Sequence, residues 1–197
     1  IISDEIYCNL MYDGVGFTSM AALGEDVKAR TILINGVSKS YAMTGWRIGY
    51  LLSSERIAGV MANYLSHSTG SPSSISQAAS VAALTGPQDC VEEMRRTFEE
   101  RRDYIVGRVN AMDGVSCLKP QGAFYIMMNI EKQLGRTICG EAIGSSDDFS
   151  RALLKHGLVA TVPGSGMGAP GFIRWSYAVG MDDIRRGMDR LEAFLKG

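Results

Sequence analysis

Short apolar runs broken by glycine open the chain, and amphipathic helical patterns close it. Ile1-Ile2, continuing into Ser3-Asp4-Glu5-Ile6-Tyr7, predicts a buried strand with Asp4 and Tyr7 at its carboxyl end. Thr31-Ile32-Leu33-Ile34, stopping at Asn35-Gly36, and Ile48-Gly49-Tyr50-Leu51-Leu52 predict two further buried strands. Residues 17–30 are mixed and glycine-containing, which predicts loop. Ser53-Ser54-Glu55-Arg56 offers a cap for a helix bearing Ile57, Val60, Met61 and Tyr64, with His67 at its end as a surface or capping residue. Ser68 to Ser73 breaks the pattern before a helix around Ile75 to Leu84.

Pro87 opens the longest helical pattern. Val91, Met94, Phe98, Ile105, Val109 and Met112 share one face, and Glu92, Glu93, Arg95, Glu99, Glu100 and Arg102 form a solvated opposite face. Past Gly114, Val115 to Leu118 and Ala123 to Met128 predict strands joined by a turn at Lys119-Pro120-Gln121-Gly122. Residues 131–145 are polar and predict a mobile loop. A helix follows from Asp147-Asp148 through Leu154. Val159 to Val162 and Phe172 to Ala178 predict strands, the latter alternating with period two, and the last helix places Ile184, Met188, Leu191 and Leu195 on one face.

Composition narrows the classes. The 197 residues are 46% hydrophobic, enough for a substantial core, and 20 basic against 21 acidic residues leave a net charge of -1. No basic field for nucleic acid exists, no apolar run is long enough for a membrane helix, and a small-molecule partner fits better. Cys8, Cys90, Cys117 and Cys139 form no C-x-x-C pair, and only His67 and His156 could serve as imidazole ligands, so no metal site is expected. The thiols are expected reduced, in a cytoplasmic protein.

The chemistry concentrates between the second and third strands. Lys39 sits on that connection, where partial desolvation would free its amine as a nucleophile toward a carbonyl. Arg47, eight residues on, carries a fork suited to phosphate, with Ser38 able to add a hydrogen bond. Together they suggest a phosphorylated carbonyl compound held at both ends. Arg174, a lone charge on an apolar strand, should meet an anion, either a structural carboxylate or a ligand.

The order Ser38-Lys39-x-x-x-Met43-Thr44-Gly45-Trp46-Arg47-x-Gly49 resembles the cofactor-lysine segment of the class I and II aminotransferases, which are fold-type-I pyridoxal-phosphate enzymes. Asp4-Glu5-x-Tyr7 is similar to the segment preceding that lysine, and Arg174-x-Ser176, after Pro163-Gly164-Ser165, is similar to the strand that grips the substrate. The resemblance runs through the whole chain and matches the carboxyl-terminal part of longer proteins, so a fragment is expected.

The resemblance implies an α/β fold: residues 1–86 as the end of the large sheet domain that binds the cofactor, 87–113 as a connecting helix, and 114–197 as a small α+β domain. It implies pyridoxal 5′-phosphate held by Lys39 as a Schiff base, with Asp4 at the pyridine nitrogen and Tyr7 at the phenolic oxygen. Ser38 and Arg47 would take the phosphate, Arg174 the substrate α-carboxylate, and Ser71 would approach the phosphate of a neighbouring subunit in a homodimer. Transamination between an amino acid, aspartate or a related one, and a 2-oxo acid is the expected activity, with this chain alone inactive. A lyase on the same fold and a non-catalytic regulatory domain are the alternatives. One departure stands out: Gly36 occupies the position, three before the lysine, where many family members carry a phosphate-binding hydroxyl.

Overall fold

The structure, a computed structural model, describes all 197 residues. They divide into two compact units, Ile1–Arg95 and Arg96–Gly197.

In the first unit, β1 (Ile2–Asp4), α1 (Glu25–Ala29), β2 (Ile32–Gly36), β3 (Gly49–Leu52), α2 (Glu55–Ser68) and α3 (Ser74–Thr85) follow in order, before α4 (Asp89–Asn110) begins. The sheet runs β1-β2-β3. β1 lies parallel to β2, with Asp4 opposite Ile34, and β3 returns antiparallel, with Gly49 opposite Gly36. A parallel pair needs a crossover, which α1 supplies. Residues 17–30 are thus more regular than expected. Ser19 caps a 3-10 turn at Met20–Ala22 by accepting from the Ala21 amide, and Glu25 and Asp26 stand in the first turn of α1, where the helix dipole favours acids.

The expected strands form, but they are not buried: Ile2 is 73% and Leu52 60% exposed. Val60 and Tyr64 on α2 and Ile75 on α3 are exposed as well. Alternation fixes which side chains share a face, whereas burial depends on what packs against that face, and here these residues meet solvent. Leu10, Tyr12 and Val37 are fully buried instead. So is nearly all of Glu5, whose Oε1 accepts from Ser3 Oγ (3.0 Å), Ser19 Oγ (2.8 Å) and the Met20 amide (3.2 Å).

The second unit continues α4 and adds β4 (Ser116–Cys117), β5 (Tyr125–Asn129), β6 (Thr137–Ile138), β7 (Glu141–Ala142), α5 (Ser146–Ala152), β8 (Val162–Pro163), β9 (Phe172–Ser176) and α6 (Met181–Leu195). Its main sheet, β4-β5-β9-β8, is antiparallel throughout. Ile126, Met128, Ile173 and Trp175 are buried, while Tyr125, Met127 and Arg174 alternate with them on a half-buried face. Helix α6 buries Ile184, Met188, Leu191 and Leu195 as its spacing predicts, and adds Phe194, edge-on to Phe149 at 5.4 Å.

Two expectations for this unit are corrected. Residues 131–145 are ordered structure: a 3-10 turn at Glu131–Gln133 leads to the β6–β7 hairpin, with Ile138 and Ile143 buried. Its two-residue turn places Cys139 (φ 50°) and Gly140 (φ 79°) both in the left-handed region, as a tight hairpin matched to strand twist demands. Arg102, assigned to the solvated face of α4, is completely buried. Its guanidinium donates to Asp103 Oδ1 (2.9 Å), the Pro120 carbonyl (3.0 Å) and Glu99 Oε1 (3.4 Å). The turn at 119–122 folds back over the helix and covers a side chain that periodicity places in water.

Removing Arg102 takes a donor from Glu99 and the Pro120 carbonyl, and leaves Asp103 paired with Lys119 alone at 3.0 Å. Arg102→Ala should cost roughly 2–4 kcal/mol of stability, against less than about 0.5 for Arg151→Ala on an exposed pair, measured by denaturant unfolding. Burial also pushes the Cys117 thiol up to about 11. At pH 8 iodoacetamide should therefore modify the exposed Cys90 and Cys139 well before Cys117, as peptide mapping over time would record.

Candidate active site

The segment between β2 and β3 is closed at its root by two glycines in register. A Cβ on Gly36 would stand 2.8 Å from the Ile48 carbonyl oxygen and 3.2 Å from Gly49 Cα, so the two strands approach more closely than any side chain permits. This explains the departure noted at Gly36: the position is occupied by neighbouring backbone and has no room for a hydroxyl side chain. Above this root, Ala42 (φ 53°) and Arg47 (φ 56°) are both left-handed without being glycine, a conformation that costs of order 1 kcal/mol each and concentrates at functional sites. The Arg47 side chain is steadied by donation to the Thr44 carbonyl at 3.0 Å. Tyr41 ties the segment to the residues before α4 by donating to Gln88 Oε1 at 2.7 Å, and burial raises its phenol pKa.

These constraints bring Asp4, Ser38, Lys39 and Arg47 to the wall of one cleft of about 370 Å³, together with Ile6, Asn35 and Thr44. Asp4 arrives through the parallel pairing of β1, and its Oδ1 accepts from the Ile6 amide at 3.2 Å. Lys39 and Ser38 are half-buried, and Asp4 and Arg47 are exposed. The cleft therefore carries two cations, one carboxylate and two hydroxyls. Tyr7 is not among its lining side chains. The strand ends at Asp4, and Tyr7 follows in the turn at residues 6–9. Ser71 lies exposed between α2 and α3. Arg174 belongs to the second unit, on β9 opposite Met127, with its guanidinium carbon 4.7 Å from the centre of the Tyr125 ring.

A family model described as aminotransferase class I and II matches residues 1–191. The chain belongs to the class I and II aminotransferases. It is 46% identical over 196 residues to an aspartate aminotransferase of Bacillus sp. (strain YM-2), a match covering 100% of this chain and 49% of that protein. Among solved structures, the aspartate aminotransferase of Rhizobium meliloti superposes with a TM-score of 0.94 at 43% identity, covering 99% of this chain and 49% of the other. An aromatic aminotransferase from Pyrococcus horikoshii OT3 gives 0.89 at 36% identity, covering 99% and 50%. The aminotransferase chain thus spans about half the length of the relatives it matches.

Asn35 is the lining residue of this aminotransferase chain that its sequence pattern conceals, because Asn-Gly reads as a strand end. In the fold its Oδ1 accepts from the Gly36 amide (2.7 Å) and its Nδ2 approaches Cys8 Sγ (3.4 Å), bracing the cleft floor. Gly36→Ser should fail to add a useful hydroxyl. Forcing a side chain against the Ile48 carbonyl should lower stability by roughly 1–3 kcal/mol, read as a reduced denaturant midpoint.

Proposed function

We propose that this chain is part of a pyridoxal-phosphate-dependent aminotransferase that exchanges an amino group between aspartate, or a related amino acid, and a 2-oxo acid. The support is the single cleft that gathers Asp4, Ser38, Lys39 and Arg47, a donor set with an amine for an aldehyde, a guanidinium and hydroxyl for a phosphate, and a carboxylate for a ring nitrogen. When bound, pyridoxal phosphate supplies a ring that takes up the electrons left when a substrate C–H bond breaks. Asp4 would face the ring nitrogen, where a carboxylate favours the protonated ring. Arg47 and Ser38 would hold the phosphate, and Tyr7, from the turn beyond Asp4, would reach the phenolic oxygen. Lys39 would hold the cofactor through its amine, and the same amine would carry a proton at the substrate Cα. Arg174 would donate two parallel N–H bonds to the α-carboxylate.

In domain terms, residues 1–86 complete the cofactor-binding domain, 87–113 form the connecting helix, and 114–197 form the small α+β domain, within a cytoplasmic homodimer. The choice of aspartate leans on the names of relatives from Bacillus sp. and Geobacillus stearothermophilus, both aspartate aminotransferases. No helix is long and apolar enough to cross a membrane.

Borohydride reduction of an enzyme comprising this chain and the remaining length of its relatives, loaded with cofactor, should fix the label on Lys39 in peptide maps. Lys39→Ala should abolish turnover, with a loss of several orders of magnitude. Label on another lysine would refute the assignment, and release of ammonia in place of amino-group exchange would point to a lyase.

A further inference from the structure

We propose that Tyr125 is a positioning residue for Arg174, its ring holding the guanidinium in the orientation that receives a carboxylate. This rests on the assignment of Arg174 to the substrate α-carboxylate.

Arg174 is half-buried on the open face of the antiparallel sheet, and no carboxylate of the chain pairs with it. A guanidinium so placed loses hydration without gaining an ion pair, and its long side chain retains several rotamers unless something restrains it. The Tyr125 ring does so. Tyr125 lies opposite Ser176 and Arg174 opposite Met127, so the two are diagonal neighbours on one face, the relation that lets long and aromatic side chains meet. At 4.7 Å from ring centre to guanidinium carbon, the contact is well within cation–π range. A ring face attracts the cation while leaving its N–H edge available for a planar acceptor.

The placement of Tyr125 is itself enforced. Ala123 (φ 61°) is a left-handed residue without being glycine, and it sets the phase with which the chain enters β5. Tyr177, fully buried at the end of β9, clamps that entry, its Oη donating to the Ala123 carbonyl (3.2 Å) and its amide to the Phe124 carbonyl (2.9 Å). Phe124 is driven inward, 5.4 Å from Phe98 and 4.7 Å from the Tyr125 ring. With Phe124, Ile126 and Met128 committed to the core, the period-two pleat turns Tyr125 outward to the Arg174 face. Arg102, through its bond to the Pro120 carbonyl, secures the turn leading into this device.

The test compares Tyr125→Leu, Tyr125→Phe and Arg174→Lys in the enzyme comprising this chain and the remaining length of its relatives, assayed with aspartate and 2-oxoglutarate. Loss of the ring should raise KM for both substrates roughly five- to tenfold, the scale of a partly desolvated cation–π contact, with kcat changed less than about twofold. Tyr125→Phe, which keeps the ring, should restore the parent KM; a merely structural Tyr125 would not give this split, since misfolding lowers the active fraction and hence apparent kcat. If Tyr125→Leu aggregates, Tyr125→Thr keeps a strand-forming residue without the ring and carries the same expectation. Unchanged KM in the ring-less variants, alongside severe loss of capture in Arg174→Lys, would overturn the role of Tyr125 and leave that of Arg174 standing. Unchanged kinetics in Arg174→Lys would overturn the carboxylate assignment, and the role of Tyr125 with it.

Discussion

The close approach of β2 and β3 at Gly36 and Gly49 is the constraint on which the cleft depends. Antiparallel pairing at that point fixes both ends of the segment from Val37 to Ile48, so Lys39 and Arg47 emerge from one root. Parallel pairing of β1 with the same strand brings Asp4 alongside. One central strand thereby aligns a carboxylate from one neighbour with two cations from the connection to the other, and the left-handed residues Ala42 and Arg47 show that the backbone tolerates strain to keep them there. Widening the root would separate Asp4 from Lys39 and Arg47, which line one cleft.

Much of this was legible in the sequence because it depends on local order. The Lys39 segment, the Asp4 strand end, the α4 apolar face and the α6 stripe all follow from short-range pattern or from a long motif. What escaped depends on the third dimension. Periodicity places Arg102 in water, and only the returning turn at Pro120 covers it. The β6–β7 hairpin was hidden because Cys139 occupies a left-handed turn position usually marked by Asn or Gly. Gly36 looked like a missing ligand until the Ile48 carbonyl filled the space its side chain would need. Short apolar runs such as Ile32 to Ile34 predict a strand and say nothing about what covers it.

The second unit handles a different difficulty, that of keeping a cation usable beside apolar neighbours. Its sheet assigns one face to the core and leaves the other half-open, and Arg174 sits on the latter against an aromatic ring. An ion pair in that place would stabilise the arginine and also occupy it. A ring restrains the guanidinium without consuming its hydrogen-bonding edge.

The Glu5 carboxylate carries a consequence for motion. One buried oxygen collects the Ser3 hydroxyl, the Ser19 hydroxyl and the Met20 amide, so the end of β1 is latched to a segment fifteen residues downstream. Peeling the strand end away from the sheet would strand an acceptor that has already surrendered its water, and the 19–22 turn would have to open with it. The Met20 amide is consequently a remote gauge of whether Asp4 is seated. Its hydrogen-exchange protection should follow the integrity of the cleft wall, although Met20 is not itself a lining residue.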